Sequence, residues 1–353
     1  MPSTNTNKKT YSPLFSGVFL GVICVVLAGS SLLFVTGKKF QFSDLLFFVE
    51  QPLPEAVTSI SFVGDLFLGR DVETKMRLLG VEYPFAGDQS IPGEFRVANF
   101  EASAPNDHQQ TPDFTFSFSV DQQFFPVLYE AGYRYLSLSN NHALDKGPQA
   151  LAETVVAMND AHMVPFGTSG IRSALVALAE PTFTVAITGF NDVTETVTSE
   201  LIQTELYGIT QDSDYQIAYV HWGEEYQITH NIRQAELARV FIDAGYDAVI
   251  GHHPHVVQDI EVYKNAPIFY SLGNYIFDQY FSDDVQRGLR LAMTIEGGAV
   301  VYKLIPVTSQ ETYIQPRPVS DLEQVQFLTA LAARSQSEVS AQVLQGRITQ
   351  QIK

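Results

Sequence analysis

The sequence predicts a layered α/β domain preceded by a single membrane-crossing helix. Three observations carry that reading. From Thr58 onward short β-type runs alternate with helical stretches, residues 14–35 form one uncharged apolar run, and the side chains able to bind a metal fall where β-type runs end. The 353 residues suffice to bury a substantial core. Hydrophobic residues make up 45% and charged residues 17%, which excludes a disordered, a collagen-like or a polytopic membrane chain. One Cys excludes an internal disulfide framework and a cysteine zinc cluster. With 21 Lys+Arg against 39 Asp+Glu the formal charge is −18, which excludes a general nucleic-acid binder, because such binding neutralises phosphates with cations. The same charge disfavours anionic lipid as a partner.

In chain order, residues 1–13 form an N-terminal tail and 14–36 the expected anchor. The run 14–35 reads LFSGVFLGVICVVLAGSSLLFV, long enough to cross about 30 Å of hydrocarbon. Lys8 and Lys9 precede it and Lys38 and Lys39 follow it, so flanking charge says little about orientation. A short tail before one apolar run favours the N-terminus inside and the main domain extracytoplasmic. A buried core helix is one alternative; a cleaved signal peptide, with small residues at Val26 and Ala28, is another. Cys24 reads as an apolar filler of this run. Residues 37–57 read as a stalk, aromatic at first and then broken by Pro52 and Pro54.

The soluble domain is expected over 58–320. Its strand candidates are TSISFV (58–63), RVANF (96–100), YLSLS (135–139), TVAIT (184–188), QIAYV (216–220), DAVI (247–250) and PIFYSL (267–272). Their length and their Val, Ile, Tyr and Phe content fit strands. Residues 147–161 read as a helix with Pro148 near its first position, where a missing N–H is harmless. Residues 231–244 read as a helix closed by Gly245, with Ile232, Ala235, Ala238, Phe241 and Ile242 on one face. AGYRYLSLSNNH and AGYDAVIGHHPH echo each other as helix end, turn, strand and polar cluster, which suggests two similar units in one sheet system. Residues 321–353, rich in Gln and Ser, read as one or two surface helices without chemistry.

The polar clusters follow strand candidates. Asp65 follows the first, Glu101 the second, Asn140-Asn141-His142 the third, His221 the QIAYV run, and Gly251-His252-His253-Pro254-His255 the DAVI run. Open α/β sheets bind ligands beyond the carboxyl ends of their strands, so these five clusters are expected to converge on one crevice. Oxygen and nitrogen donors without a thiolate suit manganese, zinc or iron. Asp145, three residues after His142, could orient it or cap the next helix. Arg70 could hold an anion, and Ser271, Gly273 and Asn274 could line the crevice. His108, His162 and His230 read as carrying no chemistry.

The ordered strings GDLFLGR, NFEA, SNNHALDKG, VHWGEEY and AGYDAVIGHHPHVVQDIEVYKNAPIFYSLGNYIFDQ resemble the CapA family of bacterial capsule-synthesis proteins, over about residues 59–307. That family is similar to calcineurin-like metallophosphoesterases. The resemblance implies a four-layer α/β/β/α sandwich and a centre for one or two divalent metal ions. It implies Asp65 and His255 on a first metal, Glu101 as a bridging carboxylate, and Asn141, His221 and His253 on a second. His142 would protonate a leaving group. The phosphoesterases open with Asp-x-His, whereas Leu66 and Phe67 follow Asp65 here, so the first metal would lack one ligand.

Three functions are compatible with that resemblance. One is an anchored metal-dependent hydrolase acting on an extracellular anionic polymer such as poly-γ-glutamate. Another is a non-catalytic component that binds, exports or tethers the polymer beside the capsule synthase membrane subunits. The third is an envelope phosphoesterase. A chain this acidic repels a polyanion in general, so any attraction must be local, through metal and a few cations. Arg70, Arg96 and Arg134 are candidates by position, and Arg70 and Asn274 are the expected substrate contacts.

Overall fold

The β-branched and aromatic runs do form strands, and the segments between them form helices. A computed structural model describes residues 57–352 except 88–90, 113–114, 180–181 and 311–312. The expected tail, anchor and almost all of the stalk lie outside the described residues. Among those residues no helix is long and apolar enough to cross a membrane.

The order is β1 (Ser59–Leu66), α1 (Arg70–Leu79), β2 (Glu94–Phe100), α2 (Phe125–Glu130), β3 (Tyr133–Ser137), α3 (Gly147–Asp160), β4 (Val164–Phe166), β5 (Ser173–Ala179) and β6 (Thr182–Asn191). It continues with α4 (Ser199–Ile209), β7 (Tyr215–His221), α5 (Ile232–Ala244), β8 (Ala248–His252), β9 (Ile260–Tyr263), β10 (Ala266–Phe269) and β11 (Asn274–Ile276). It ends with β12 (Arg287–Glu296), β13 (Ala299–Thr308), β14 (Arg317–Pro318), α6 (Asp321–Arg334), α7 (Ser337–Leu344) and β15 (Arg347–Gln351). The helix expected at 231–244 is α5. Asn231 and Gln234 close a reciprocal cap at its start, and Gly245 ends it at φ +127°.

One sheet runs β14-β13-β12-β1-β2-β3-β4, with β11 also against β1 and β15 against β13; the other runs β5-β6-β7-β8-β10-β9. Strands β1 to β4 are mutually parallel, as are β6, β7, β8 and β10. Packing gives the layers. Phe62 and Val97 of the first sheet share a core with Ile187, Ile217 and Ile250 of the second, so the sheets lie face to face. On the outer face of the first, Val63, Ala98 and Leu136 meet Val72, Leu128 and Met158 of α1, α2 and α3. On the outer face of the second, Ala186, Ala218 and Val249 meet Ile202 and Phe241 of α4 and α5. The order of layers is helices, sheet, sheet, helices.

Two expectations change. The echoing segments do not share a sheet: β3 belongs to the first and β8 to the second, so their polar clusters meet across the gap. The tail is also more than surface helix. Leu328, Leu331, Val339 and Val343 of α6 and α7 belong to the inter-sheet core, and β15 pairs with β13. Those apolar residues, spaced three and four apart within each helix, cover the open side of the core. The β12–β13 hairpin turns on Gly297-Gly298, at φ +57° and +81°, the paired positive angles that tight hairpins require.

Candidate metal centre

Strand alternation aims the polar residues into the gap between the sheets. In β7, Ile217 and Tyr219 face the inter-sheet core, and two residues further so does His221; in β8, Ala248, Ile250 and His252 do the same. In β2, Val97 faces that core, which puts Asn99 and the following Glu101 on the same side. Asp65 needs an extra device. Phe62 pairs with Val97 but Asp65 with Asn99, so β1 carries one additional residue there, a bulge at Val63-Gly64. Val63 and Leu66 both face the helices, and the bulge leaves Asp65 facing the gap. Glycine is required at 64, because a Cβ would stand 1.9 Å from the Gly273 carbonyl oxygen. That close approach lets Asp65 N donate to the same oxygen at 2.9 Å.

Five strand ends thus deliver their clusters to one place. Two ligand triads form, Asp65–Glu101–His255 and Glu101–His221–His253, each with candidate ligand atoms within 4.8 Å of one another. Glu101 belongs to both, and all five residues are buried. Asn141 Oδ1 lies 2.8 Å from His221 Nε2, which adds an oxygen beside the second triad. Glu101 Oε1 and His253 Nδ1 are buried without a hydrogen-bond partner. Buried polar atoms are almost always paired, so these two are aimed at something that completes them. Carboxylate and imidazole donors with orphaned atoms fit a divalent cation. The backbone is strained at the same point: His253 sits at φ +97° and His255 at φ +58°.

Burial and mutual charge set the protonation states. Burial would raise Asp65, but the facing His252 and His255 imidazoles outweigh it and hold the carboxyl well below its ordinary value. Burial pushes Glu101 well above the usual range. Burial also keeps His221 well below its ordinary value, and burial plus the neighbouring His255 depresses His253 to about 4. Burial opposes protonation of His255, yet the Glu101 and Asp65 carboxylates prevail and lift it to about 9. Without a cation the cluster therefore places a positive imidazole between acids, and neutral imidazoles beside it.

His142 stands at the edge of the crevice with Nε2 3.8 Å from Glu101 Oε1. Its Nδ1 lies 2.7 Å from Asp145 Oδ2, and its ring stacks on Phe118 at 3.8 Å between centroids. Asp145 Oδ2 also accepts from Phe118 N at 2.6 Å. Asp145 is not the cap of α3, which begins after Lys146 with no side-chain cap.

Asn274 and Arg70, the expected substrate contacts, both have partners within the protein. Asn274 lies behind His255: its Oδ1 is 2.9 Å from His255 Nδ1, and its Nδ2 donates to Gln279 and to the Val285 carbonyl. It fixes the ring so that Nε2 faces Glu101, at 3.8 Å. Arg70 is buried, makes a two-pronged ion pair with Asp278, and lies over the Phe118 ring at 4.6 Å. It shapes the wall beside His142 and already has its anion.

Asn99 holds the carboxylates with Asn140 behind it; the sequence puts Asn140 in a polar cluster and assigns Asn99 no role. Asn99 Nδ2 donates to Asp65 Oδ1 at 2.8 Å and lies 3.4 Å from Glu101 Oε2 and 3.3 Å from His221 Nδ1. Asn140 Nδ2 in turn donates to Asn99 Oδ1 at 3.0 Å. The one signal for Asn99 is its two-residue spacing from Glu101 in a strand. A further group, Glu73–His108–Asp121, has ligand-like spacing too. There Arg77 bonds both Glu73 and Asp121, so a guanidinium already fills the place of a cation.

Comparison with known proteins identifies relatives. Residues 59–279 match the family model described as bacterial capsule synthesis protein PGA_cap. The chain is 27% identical over 340 residues to the capsule biosynthesis protein CapA of Bacillus anthracis, covering 89% of this chain and 80% of that protein. It is 28% identical over 314 residues to the PGA biosynthesis protein CapA of Bacillus subtilis strain 168, covering 83% and 82%. Among solved structures, a hypothetical protein from Thermus thermophilus is a distant likeness, with 16% identity, a TM-score of 0.42, and coverage of 74% of this chain and 96% of that one.

Proposed function

This chain belongs to the bacterial capsule synthesis protein family PGA_cap, and on that premise we propose that it is a membrane-anchored, metal-dependent hydrolase acting on an extracytoplasmic anionic polymer such as poly-γ-glutamate. The observation that carries the proposal is the pair of triads sharing Glu101, with buried ligand atoms left unpaired. The names of the two Bacillus relatives, capsule and PGA biosynthesis, support the polymer. The uncharged run 14–35 supports the anchor, with capsule synthase membrane subunits as neighbours. The paired sheets with ligands at strand ends support the kinship with metallophosphoesterases.

Asp65 and His255 would hold one cation, His221, His253 and Asn141 a second, and Glu101 would touch both. Such an ion supplies Lewis acidity and a water acidic enough to act as a nucleophile near neutral pH. The protein's own groups do the rest. Asn99 steadies Asp65 and Glu101, and Asn274 turns His255. Asp145 keeps a proton on His142 Nδ1, so His142 Nε2 faces the crevice as the atom that exchanges a proton with a leaving group. Phe118 shields one face of that ring from water.

The test is metal content of the full chain, beside a His253→Ala, His255→Ala double variant, followed by assays on poly-γ-glutamate and on phosphate esters. Stoichiometric manganese, zinc or iron that disappears in the variant, with metal-dependent shortening of the polymer, is the expected result. Folded protein that takes up no metal would overturn the hydrolase. Phosphate release without polymer cleavage would move the substrate to an envelope phosphate ester.

A further inference from the structure

Besides the triad histidines and His142, the crevice contains a further histidine to which the proposed chemistry gives no part. His252 ends β8, immediately before His253, with its ring on the inter-sheet face. It is 1% exposed, and neither ring nitrogen has a hydrogen bond. The ring packs against Tyr219 at 4.2 Å between centroids. A phenylalanine would fill such a place without burying two unsatisfied polar atoms, so packing alone does not explain a histidine there.

What the imidazole faces is Asp65. His252 Nδ1 lies 3.4 Å from Asp65 Oδ1, the oxygen that also accepts from Asn99 Nδ2 at 2.8 Å. The other oxygen, Oδ2, lies 3.3 Å from His255 Nδ1 and accepts from His253 N at 3.4 Å. The carboxylate is therefore gripped on one side by a residue from each sheet, Asn99 and His252, with its second oxygen left to the triad. Leu66 and Phe67 are buried in the outer core and add no ligand, so this triad depends on the aim of Asp65. We propose that His252 is a positioning residue: with Asn99 it orients Asp65, and through Asp65 it sets the affinity of the Asp65–Glu101–His255 triad for its cation. This rests on the metal-binding reading above.

The test uses the full chain, stripped of metal, with Mn²⁺ as the probe. His252→Phe keeps the shape against Tyr219 and removes both nitrogens. Titration calorimetry should show one class of Mn²⁺ site weakened by roughly 10- to 100-fold, the range typical of groups that orient metal ligands, with the other unchanged. Thermal unfolding of the metal-free variant should stay near the wild-type temperature, because losing the 3.4 Å contact to Asp65 is offset by removing two buried ring nitrogens that lack hydrogen bonds. His252→Gln, which restores a donor toward Oδ1, should recover part of the affinity. Unchanged Mn²⁺ affinity in His252→Phe would overturn the proposal while leaving the metal reading intact. So would a metal-free stability that falls in step with affinity, because that marks a merely structural residue. Wild-type protein that binds no Mn²⁺ would overturn the metal reading and this proposal together.

Discussion

Replacing Glu101 with Gln should empty both halves of the centre at once. Glu101 is a member of each triad, is fully buried, and holds an unpaired oxygen aimed between them. Glutamine keeps the size of the side chain but removes its charge and one anionic ligand oxygen. An ion present at 100 times its Kd stabilises the protein that binds it by about 2.7 kcal/mol, and two independent ions by about twice that. For a domain of this size 1 kcal/mol corresponds to roughly 2–4 °C in Tm, so full loading should raise Tm by about 10–20 °C. In Glu101→Gln that gain should fall close to zero. His253→Ala touches one triad alone and should keep roughly half of it. The assay is thermal unfolding across a Mn²⁺ series, with elemental analysis of the same samples. A Glu101→Gln protein that keeps the full metal-induced rise would refute the shared-ligand geometry, because ions that bind without Glu101 are not in these triads.

Metal uptake should strengthen as pH rises. Burial would lower His255, but Glu101 and Asp65 outweigh it and raise it to about 9, so below that value a proton competes with the cation. Each unit of falling pH should weaken binding up to roughly tenfold, and a titration between about pH 7 and pH 9 that shows no dependence would contradict this. Stability of the metal-free protein should move the other way. With its pKa raised from 6.5 to about 9, His255 contributes fully below about pH 6.5, and that contribution is lost as pH rises through about 9, a fall readable in Tm. Asp145→Asn should lower the catalytic rate roughly 10- to 100-fold while metal content stays at the wild-type level, since it holds His142 and no cation; a matching loss of metal would show that Asp145 acts on the centre itself. Gly251→Ala should destabilise the protein by about 1–3 kcal/mol in denaturant unfolding, because its Cβ would stand 2.1 Å from the Tyr270 carbonyl oxygen and 2.3 Å from Trp222 Nε1; an unchanged midpoint would show that β8 has room to shift.

The centre is legible in the sequence wherever a strand run stops at an ionisable residue. Asp65, Glu101, His221, His253 and His255 are found in that way, and they meet. What sequence reasoning cannot supply is the third dimension. It puts the echoing β3 and β8 segments in one sheet system, because parallel strands in a single sheet and strands in two facing sheets have the same local pattern. Arg70 and Asn274 look like substrate contacts because a cation or amide after a strand looks available; their partners, Asp278 and His255, are supplied by folding. Asn99 is hidden inside a strand, where polar residues are usually solvent-facing. The bulge at Val63-Gly64 has no signal beyond the glycine itself, yet it decides which face Asp65 takes. The β12–β13 hairpin does carry a signal, two glycines between apolar runs, but only pairing settles its role.

The ligands come from both sheets, and that has an energetic consequence. Asp65 and Glu101 belong to the first, and His221 and the His253–His255 turn to the second, so the cluster spans the gap above the apolar inter-sheet core. Without a cation the cluster is a liability. It leaves Glu101 Oε1 and His253 Nδ1 unpaired, and it holds two non-glycine residues at positive φ. Each of these features opposes folding, by desolvation in one case and by backbone strain in the other. A cation held here would reverse the first, because Glu101 Oε1 and His253 Nδ1 are the atoms free to hold it. It would also give the second a use, since the turn at His253 to His255 brings two imidazoles onto opposite triads. The same ion would bridge ligands from separate sheets, so opening the sandwich would require its release. Stability gained on metal binding should therefore belong to global unfolding of both sheets and not to local ordering of one loop. Hydrogen exchange checks this: Mn²⁺ should slow the most protected amides of β2 and β7 alike, and slowing confined to the 253–255 turn would show that the ion orders a loop and ties no sheets together.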